Sequence, residues 1–157
     1  MVGRMEKVPL REVWKKEAKD FTCWLFENLE VLGEELDLKL TADEKEKSIG
    51  SFSADIIAED SSGQKVLIEN QLEKTDHGHL GQILTYISNL DAKTAIWISS
   101  DPRAEHITAI EWLNETGSGV KFYLVQVEAY RIGNSEPAAK FTVVTGPSEK
   151  TKIVGDE

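Results

Sequence analysis

The stretch from Phe52 to Tyr86 constrains this chain most: FSADIIAED, SSG, QKVLIENQ, then a short loop into KTDHGHLGQILTY. Residues 52–59 alternate, with Phe52, Ala54, Ile56 and Ala58 set on one side and Ser53, Asp55, Ile57 and Glu59 on the other. Residues 64–71 are richer in apolar and β-branched types, as a central strand requires. Ser61, Ser62 and Gly63 lie between, and a three-residue hairpin loop with Gly last suits a type I turn followed by a left-handed residue. That loop pairs Asp60 with Gln64. Counting back in register sets Asp55 opposite Glu69 and Ser53 opposite Gln71. A slip of one residue would instead send Asp55 to the face away from Glu69.

Directly opposed residues on one face have Cβ atoms about 4.5–5.5 Å apart. Two carboxylates that close repel, so either one is protonated or a cation lies between them. Oxygen ligands of this kind suit Mg²⁺ or Mn²⁺, which take one or two carboxylates and keep several waters. The expected metal ligands are therefore Asp55 and Glu69.

The chain's 157 residues fit one domain, with flexible tails expected at about residues 1–9 and 146–157. The N-terminus lacks the apolar run of a signal peptide, and no stretch reaches the roughly 18 apolar residues of a membrane span. Cys23 is the only cysteine, so no internal disulfide can form. It reads as a small buried hydrophobe in a reducing cytoplasm. The net charge of −10 counts against unaided nucleic-acid binding, which draws on Lys and Arg at phosphates. A local basic patch or a bound metal can still act inside an acidic protein.

Along the chain, Trp14, Ala18, Phe21, Leu25, Leu29 and Leu32 recur at helical spacing and predict one helix from Leu10 to Gly33. Glu17 sits on the edge of that stripe, placed to lean into the sheet or to remain a surface acid. Leu36, Leu38 and Leu40 predict a first strand, and Thr41–Gly50 an exposed turn or strand end. After the hairpin, Thr75 or Asp76 caps a helix with Leu80, Ile83, Leu84, Ile87 and Leu90 on its core face. His79, Gln82, Tyr86 and Asn89 form a separate polar row, and Gly81 reads as a point of close packing on the sheet. His77 and His79 fit capping or hydrogen bonding better than a metal site, since further nitrogen or sulfur ligands at zinc spacing are missing. A buried strand over 93–99 follows. Next come a helix capped by Ser100 or Asp101 and carrying Ala104, Ile107, Ile110 and Leu113, and two strands over 120–132 and 140–144. His106 reads as a surface or rim residue. The fold class is α/β, a mixed central sheet flanked by helices. The first three strands form a meander, and a helical crossover leads to a parallel fourth.

A helix acid, a strand Asp, an acidic strand motif and a helix carrying Gln82-Ile-Leu-Thr-Tyr86 occur here in one order. This pattern resembles the PD-(D/E)XK nuclease superfamily, RecB-like members included, over about residues 10–100. The run Gln82 to Tyr86 is similar to the Gln-x-x-x-Tyr of those members. EAKDFTCWL, IENQ, KTDH, HLGQ and TYI are also similar to an uncharacterised bacterial and archaeal group within it. The resemblance implies a restriction-endonuclease-like αβββαβ core, here with a C-terminal helix and strands added. Glu17 matches the helix acid, Asp55 the strand Asp, and Glu69-Asn70-Gln71 the Glu-x-Lys. The family's Lys is thus Gln71, which can hydrogen-bond water but brings no charge.

What the resemblance implies is Mg²⁺- or Mn²⁺-dependent hydrolysis of a nucleic-acid phosphodiester, with DNA the expected substrate, in repair or defence. Asp55 and Glu69 would hold the metal, Glu17 would act through a metal water or a second ion, and Gln71 would position the nucleophile. Gln82, Tyr86, Lys74 and His79 would hold the substrate backbone or support the ligands. A nuclease this short would work as a homodimer or with a partner protein. The alternative is a nuclease fold that has lost its chemistry and serves as a binding or assembly module; Gln71 and the acidic surface favour it, and the retained acids oppose it.

Overall fold

A computed structural model describes residues 1–16, 18–50 and 52–148. Glu17 and the tail from residue 149 lie outside the described residues. In chain order the elements are β1 (Met5–Val8), α1 (Leu10–Val13), α2 (Ala18–Glu27), α3 (Leu29–Leu36), β2 (Thr41–Ile49), β3 (Phe52–Glu59), β4 (Lys65–Lys74), α4 (His77–Leu90), β5 (Thr94–Asp101), α5 (Ala104–Glu115), β6 (Lys121–Ile132) and β7 (Ala138–Thr145). The seven strands make one sheet in the order β1-β6-β5-β4-β3-β2, with β7 also on β6. β2, β3 and β4 form an antiparallel meander, and α4 crosses over to set β5 parallel to β4. α5 then sets β6 parallel to β5. The expected α/β class with a mixed central sheet is what the chain adopts.

Apolar residues sort onto the two sheet faces. On one, Phe21 and Leu25 of α2 and Leu29, Leu32 and Leu36 of α3 meet Ile56, Val66, Ile68, Ile96 and Ile98. On the other, Ile83, Tyr86 and Ile87 of α4 and Ile110 of α5 meet Ile57, Leu67, Ala95, Trp97 and Leu124. Full burial of a side chain such as Leu25 or Ile68 stabilises by about 1.5–3 kcal/mol, so the two layers clamp the central strands from both sides.

Several expectations need correction. The single helix over 10–33 is three. Trp14 leaves the helical region at φ −119°, and Asp20 Oδ2 accepts the Lys16 N–H at 2.8 Å, starting α2 afresh. Asn28 interrupts next, its Nδ2 donating to the Trp24 carbonyl at 2.8 Å, a local bond that competes with helix continuation. Gly33 does not end α3, which runs to Leu36 and stops at Asp37 with φ 55°. Leu38 and Leu40 therefore lie in a connector packed on the core, and β2 is the segment expected to be a turn. β2 is an exposed edge strand, so no buried face imposes apolar alternation on it. Residues 5–8, expected in a loose start, form β1 against the end of β6.

Further departures concern single residues. Leu84 is exposed, and buried Tyr86 takes its place on the core face of α4, so Tyr86 does not belong to a separate polar row. Gly81 has open space where a Cβ would stand, and no close packing explains it. Neither Ser100 nor Asp101 caps α5, whose N-cap position is Arg103. Cys23 is only half-buried, with Lys45 Nζ 3.6 Å from its Sγ. His106, expected at the surface, is buried at 2% exposure. Among the described residues no helix is long and apolar enough to cross a membrane.

Candidate active site

The β3–β4 hairpin turns as its loop sequence requires. The Asp60 N–H donates to the Gln64 carbonyl, the Gly63 N–H returns to the Asp60 carbonyl, and Gly63 has φ 78°. Asp60 Oδ1 accepts from Ser62 and Gln64 N–H, closing the turn. From there the register runs Glu59 with Lys65 through Ile56 with Ile68. The ladder stops there, one step short of the Asp55–Glu69 pairing counted from the loop.

At that step side chains replace backbone carbonyls as acceptors. The Asp55 N–H donates to Glu69 Oε1 at 3.1 Å, and the Asn70 N–H donates to Asp55 Oδ2 at 2.8 Å. The alternation of β3 slips here. Ile56 packs with the α2–α3 layer, yet Ala54 joins Ile57 on the α4–α5 side. Asp55 occupies the slip and turns its carboxylate toward β4.

The electrostatics follow from this crowding. Burial, then the Asp55 charge, pushes the Glu69 carboxyl up to about 9. Asp55 is also raised, by burial first and only partly offset by the Asn70 N–H and Glu69. With no cation present, the pair holds a proton at neutral pH. Asp55 Oδ1 and Glu69 Oε2 take no part in the backbone bonds and present a hard-oxygen donor set. Among the described residues no group of three or more His, Cys, Asp or Glu is gathered tightly enough to hold a metal by itself. Two carboxylates with the remaining positions left to water nonetheless fit Mg²⁺.

Gln71 projects to the α4–α5 side and is buried, both ends of its amide engaged. Nε2 donates to Asp76 Oδ2 at 2.9 Å, and Oε1 accepts from Trp97 Nε1 at 3.2 Å. Between Glu69 and Gln71, Asn70 faces the opposite layer, its Nδ2 donating to Thr22 Oγ1 on α2 at 2.8 Å. Tyr86 is buried beside the acids: burial, then the Glu69 and Asp55 charges, pushes its phenol up. Gln82 lies one turn earlier on α4, half-buried. His79 stands one turn before that, its Nδ1 2.8 Å from Asp76 Oδ1. Lys74 is exposed at the end of β4, past a register shift after Gln71, and makes no hydrogen bond or ion pair with these groups among the described residues.

Four contributors were not among the site residues expected from the sequence. Asp76 caps α4 and also holds Gln71. Trp97 lies opposite Glu69 in the β4–β5 register. The signal for it was an indole in a buried strand, whose N–H must find an acceptor. Glu46, on β2 with φ 53°, adds its charge to those raising Asp55. His106 joins Thr75 Oγ1 at 2.6 Å and His77 Nδ1 at 2.8 Å, and its ring meets Trp97 edge-on at 5.4 Å. A cavity of about 650 Å³ between α1, β1 and the ends of β4, β5 and β6 includes none of the acidic pair, Gln71, His79 or Tyr86 in its lining.

No model of a known protein family matches the chain, and no curated protein does. Solved structures do. A repair endonuclease from Pyrococcus abyssi superposes with a TM-score of 0.53 at 20% identity, over 65% of this chain and 43% of that one. A complex of EndoMS with double-stranded DNA gives 0.52 at 19% identity, over 68% and 43%. EndoMS in its apo form gives 0.50 at 20%, over 66% and 44%. The likeness is one of fold, and this chain spans less than half the length of the structures it matches.

Proposed function

We propose that the protein hydrolyses phosphodiester bonds of nucleic acid with the help of Mg²⁺ or Mn²⁺, as a nuclease of the PD-(D/E)XK type. The observation that carries the reading is the meeting of half-buried Asp55 with buried Glu69. Burying two mutually repelling carboxylates is costly, and a cation between them would offset that cost. The fold shared with a repair endonuclease, and with a protein seen on double-stranded DNA, supports nucleic acid as the substrate class, DNA first.

Asp55 and Glu69 would hold the ion through the oxygens left over from their backbone bonds. The ion would supply a more acidic water and charge neutralisation at the scissile phosphate. The chain's own groups do the rest. The hairpin fixes the carboxylate spacing, and Tyr86 packs beside the pair at low solvent access, where charge interactions are stronger. Gln82, half-buried on α4, would donate to a substrate phosphate. Gln71 ties β4 to Asp76 and Trp97. The charge of −10 fits a catalytic module that gains DNA affinity from a second copy or a partner.

The second reading, a binding module without chemistry, is favoured by one observation: the amide at the family's Lys position is fully occupied in structural contacts. One experiment separates the two. Wild type and Asp55→Asn are incubated with single- and double-stranded DNA and RNA in Mg²⁺, Mn²⁺ or EDTA. Metal-dependent cleavage by wild type alone supports hydrolysis; no cleavage, with no metal-dependent rise in melting temperature, supports the binding module.

A further inference from the structure

The hydrolysis reading leaves one chemical position open. Gln71 brings no charge and its amide is already engaged, so it does not take the attacking water's proton. α4 offers a group that can. Asp76 accepts from the His79 backbone N–H at 2.7 Å and from His79 Nδ1 at 2.8 Å through Oδ1, and from Gln71 Nε2 at 2.9 Å through Oδ2. A carboxylate accepts only, so the ring proton sits on Nδ1, and the neutral imidazole presents Nε2 as a lone pair. The His79 side chain is 28% exposed, within reach of a substrate.

Placement completes the case. His79 and Gln82, both half-buried, follow one another one turn apart on α4, and Tyr86 stands one turn further on, on the core face. At Tyr86, burial and then the Glu69 and Asp55 charges act on the phenol. His79 in turn acts on Asp55, after burial and the Asn70 and Glu69 bonds. The same Asp76 carboxylate that holds His79 also holds Gln71, two residues from Glu69 along β4, which brings the start of α4 beside the acidic pair.

Resting on that reading, we propose that His79, oriented by Asp76, is the general base for the attacking water. The water's O–H breaks and its proton passes to Nε2 as the oxygen bonds to phosphorus. The bond to the leaving oxygen breaks, and that oxygen takes a proton from solvent. The imidazolium, held against the Asp76 carboxylate, then returns its proton to solvent. A carboxylate–imidazole pair of this kind activates nucleophiles on unrelated folds.

His79→Ala tests this without losing the helix cap, because the residue 79 backbone N–H still reaches Asp76. Cleavage of a mixed nucleic-acid panel in Mg²⁺ or Mn²⁺ should fall by about 10²–10⁴-fold, as when a general base is removed. Free imidazole should restore at least about tenfold of it, and should restore nothing to Asp55→Asn. In the metal-free protein, ¹⁵N imidazole spectra should show neutral His79 protonated at Nδ1, and Asp76→Asn should erase that preference. Cleavage by His79→Ala within about threefold of wild type overturns the assignment, as does a loss that imidazole leaves unrestored, or a neutral ring protonated at Nε2. A wild type that cleaves nothing overturns the hydrolysis reading and this role with it, and that failure shows in every protein at once.

Discussion

Asp55 and Glu69 are tied backbone to side chain: the N–H of Asp55 donates to Glu69 Oε1 at 3.1 Å, and Asp55 Oδ2 reaches on to the N–H of Asn70. The carboxylates thus hold the hairpin open where a regular ladder would close it. Asn at position 55 can still accept from Asn70 through its amide oxygen while removing the charge. Asp55→Asn should abolish metal-dependent cleavage and leave the metal-free protein at least as stable as wild type, since a repulsion has gone. Thermal melting with and without Mg²⁺, beside a cleavage assay, checks both halves; equal cleavage by the two proteins removes Asp55 from the chemistry.

The same pair sets a pH dependence. Burial and the Asp55 charge carry Glu69 from its usual 4.5 to about 9 in the folded chain, so the native state holds a proton that the unfolded chain releases. Its stabilising contribution is full below the unfolded value and is lost as pH rises through the folded one. The metal-free protein should lose stability from about pH 4.5 to about pH 9, while Glu69→Gln should be flatter over that window. The stabilisation gained from Mg²⁺ should grow with pH, because the ion competes with that proton. Urea midpoints across pH, with EDTA or Mg²⁺, measure all three; identical profiles for wild type and Glu69→Gln would remove Glu69 as the source.

Gln71→Lys would add a charge at the expense of a hydrogen bond. A Lys ammonium can reach Asp76 but cannot accept from Trp97, whose buried indole N–H then lacks its acceptor. The variant should lose about 1–3 kcal/mol of stability by urea unfolding. Unchanged stability would mean that the Gln71 amide is not what satisfies Trp97.

Two glycines should respond in opposite directions. A Cβ on Gly33 would collide with the Leu38 carbonyl oxygen, which turns back against the end of α3. Gly33→Ala should therefore destabilise by about 1–3 kcal/mol. Gly81 lies inside α4 with open space around a Cβ, and Gly81→Ala should stabilise by about 0.5–1 kcal/mol. Calorimetry on the pair checks the signs.

The hairpin register was legible because the loop fixed it: Gly63 in the left-handed region leaves one way to pair Asp60 with Gln64. The central strands were legible because both of their faces are apolar. β2 was not, since an edge strand exposed along its length carries no burial pattern. β1 was hidden likewise, with only Val8 of its four residues buried. The breaks at Trp14 and Asn28 leave the apolar spacing of the helical region intact, so periodicity cannot report them. The burial of His106 depends on Thr75 and His77 satisfying both ring nitrogens from more than two dozen residues away, which only the folded arrangement reveals.

β1 pairs with β6, Met5 opposite Ile132 and Val8 opposite Ala129. β1 is therefore synthesised well before the strand it pairs with. At about 5–20 residues per second, ribosomal synthesis separates the two by on the order of ten seconds. During that interval the nascent chain can assemble the β2–β4 meander and dock α4, but the sheet stays open at β5. A translational pause before Lys121 would leave the apolar edge of β5 unpaired and exposed to other chains, so the rhythm of synthesis bears on how much of this protein reaches its native state.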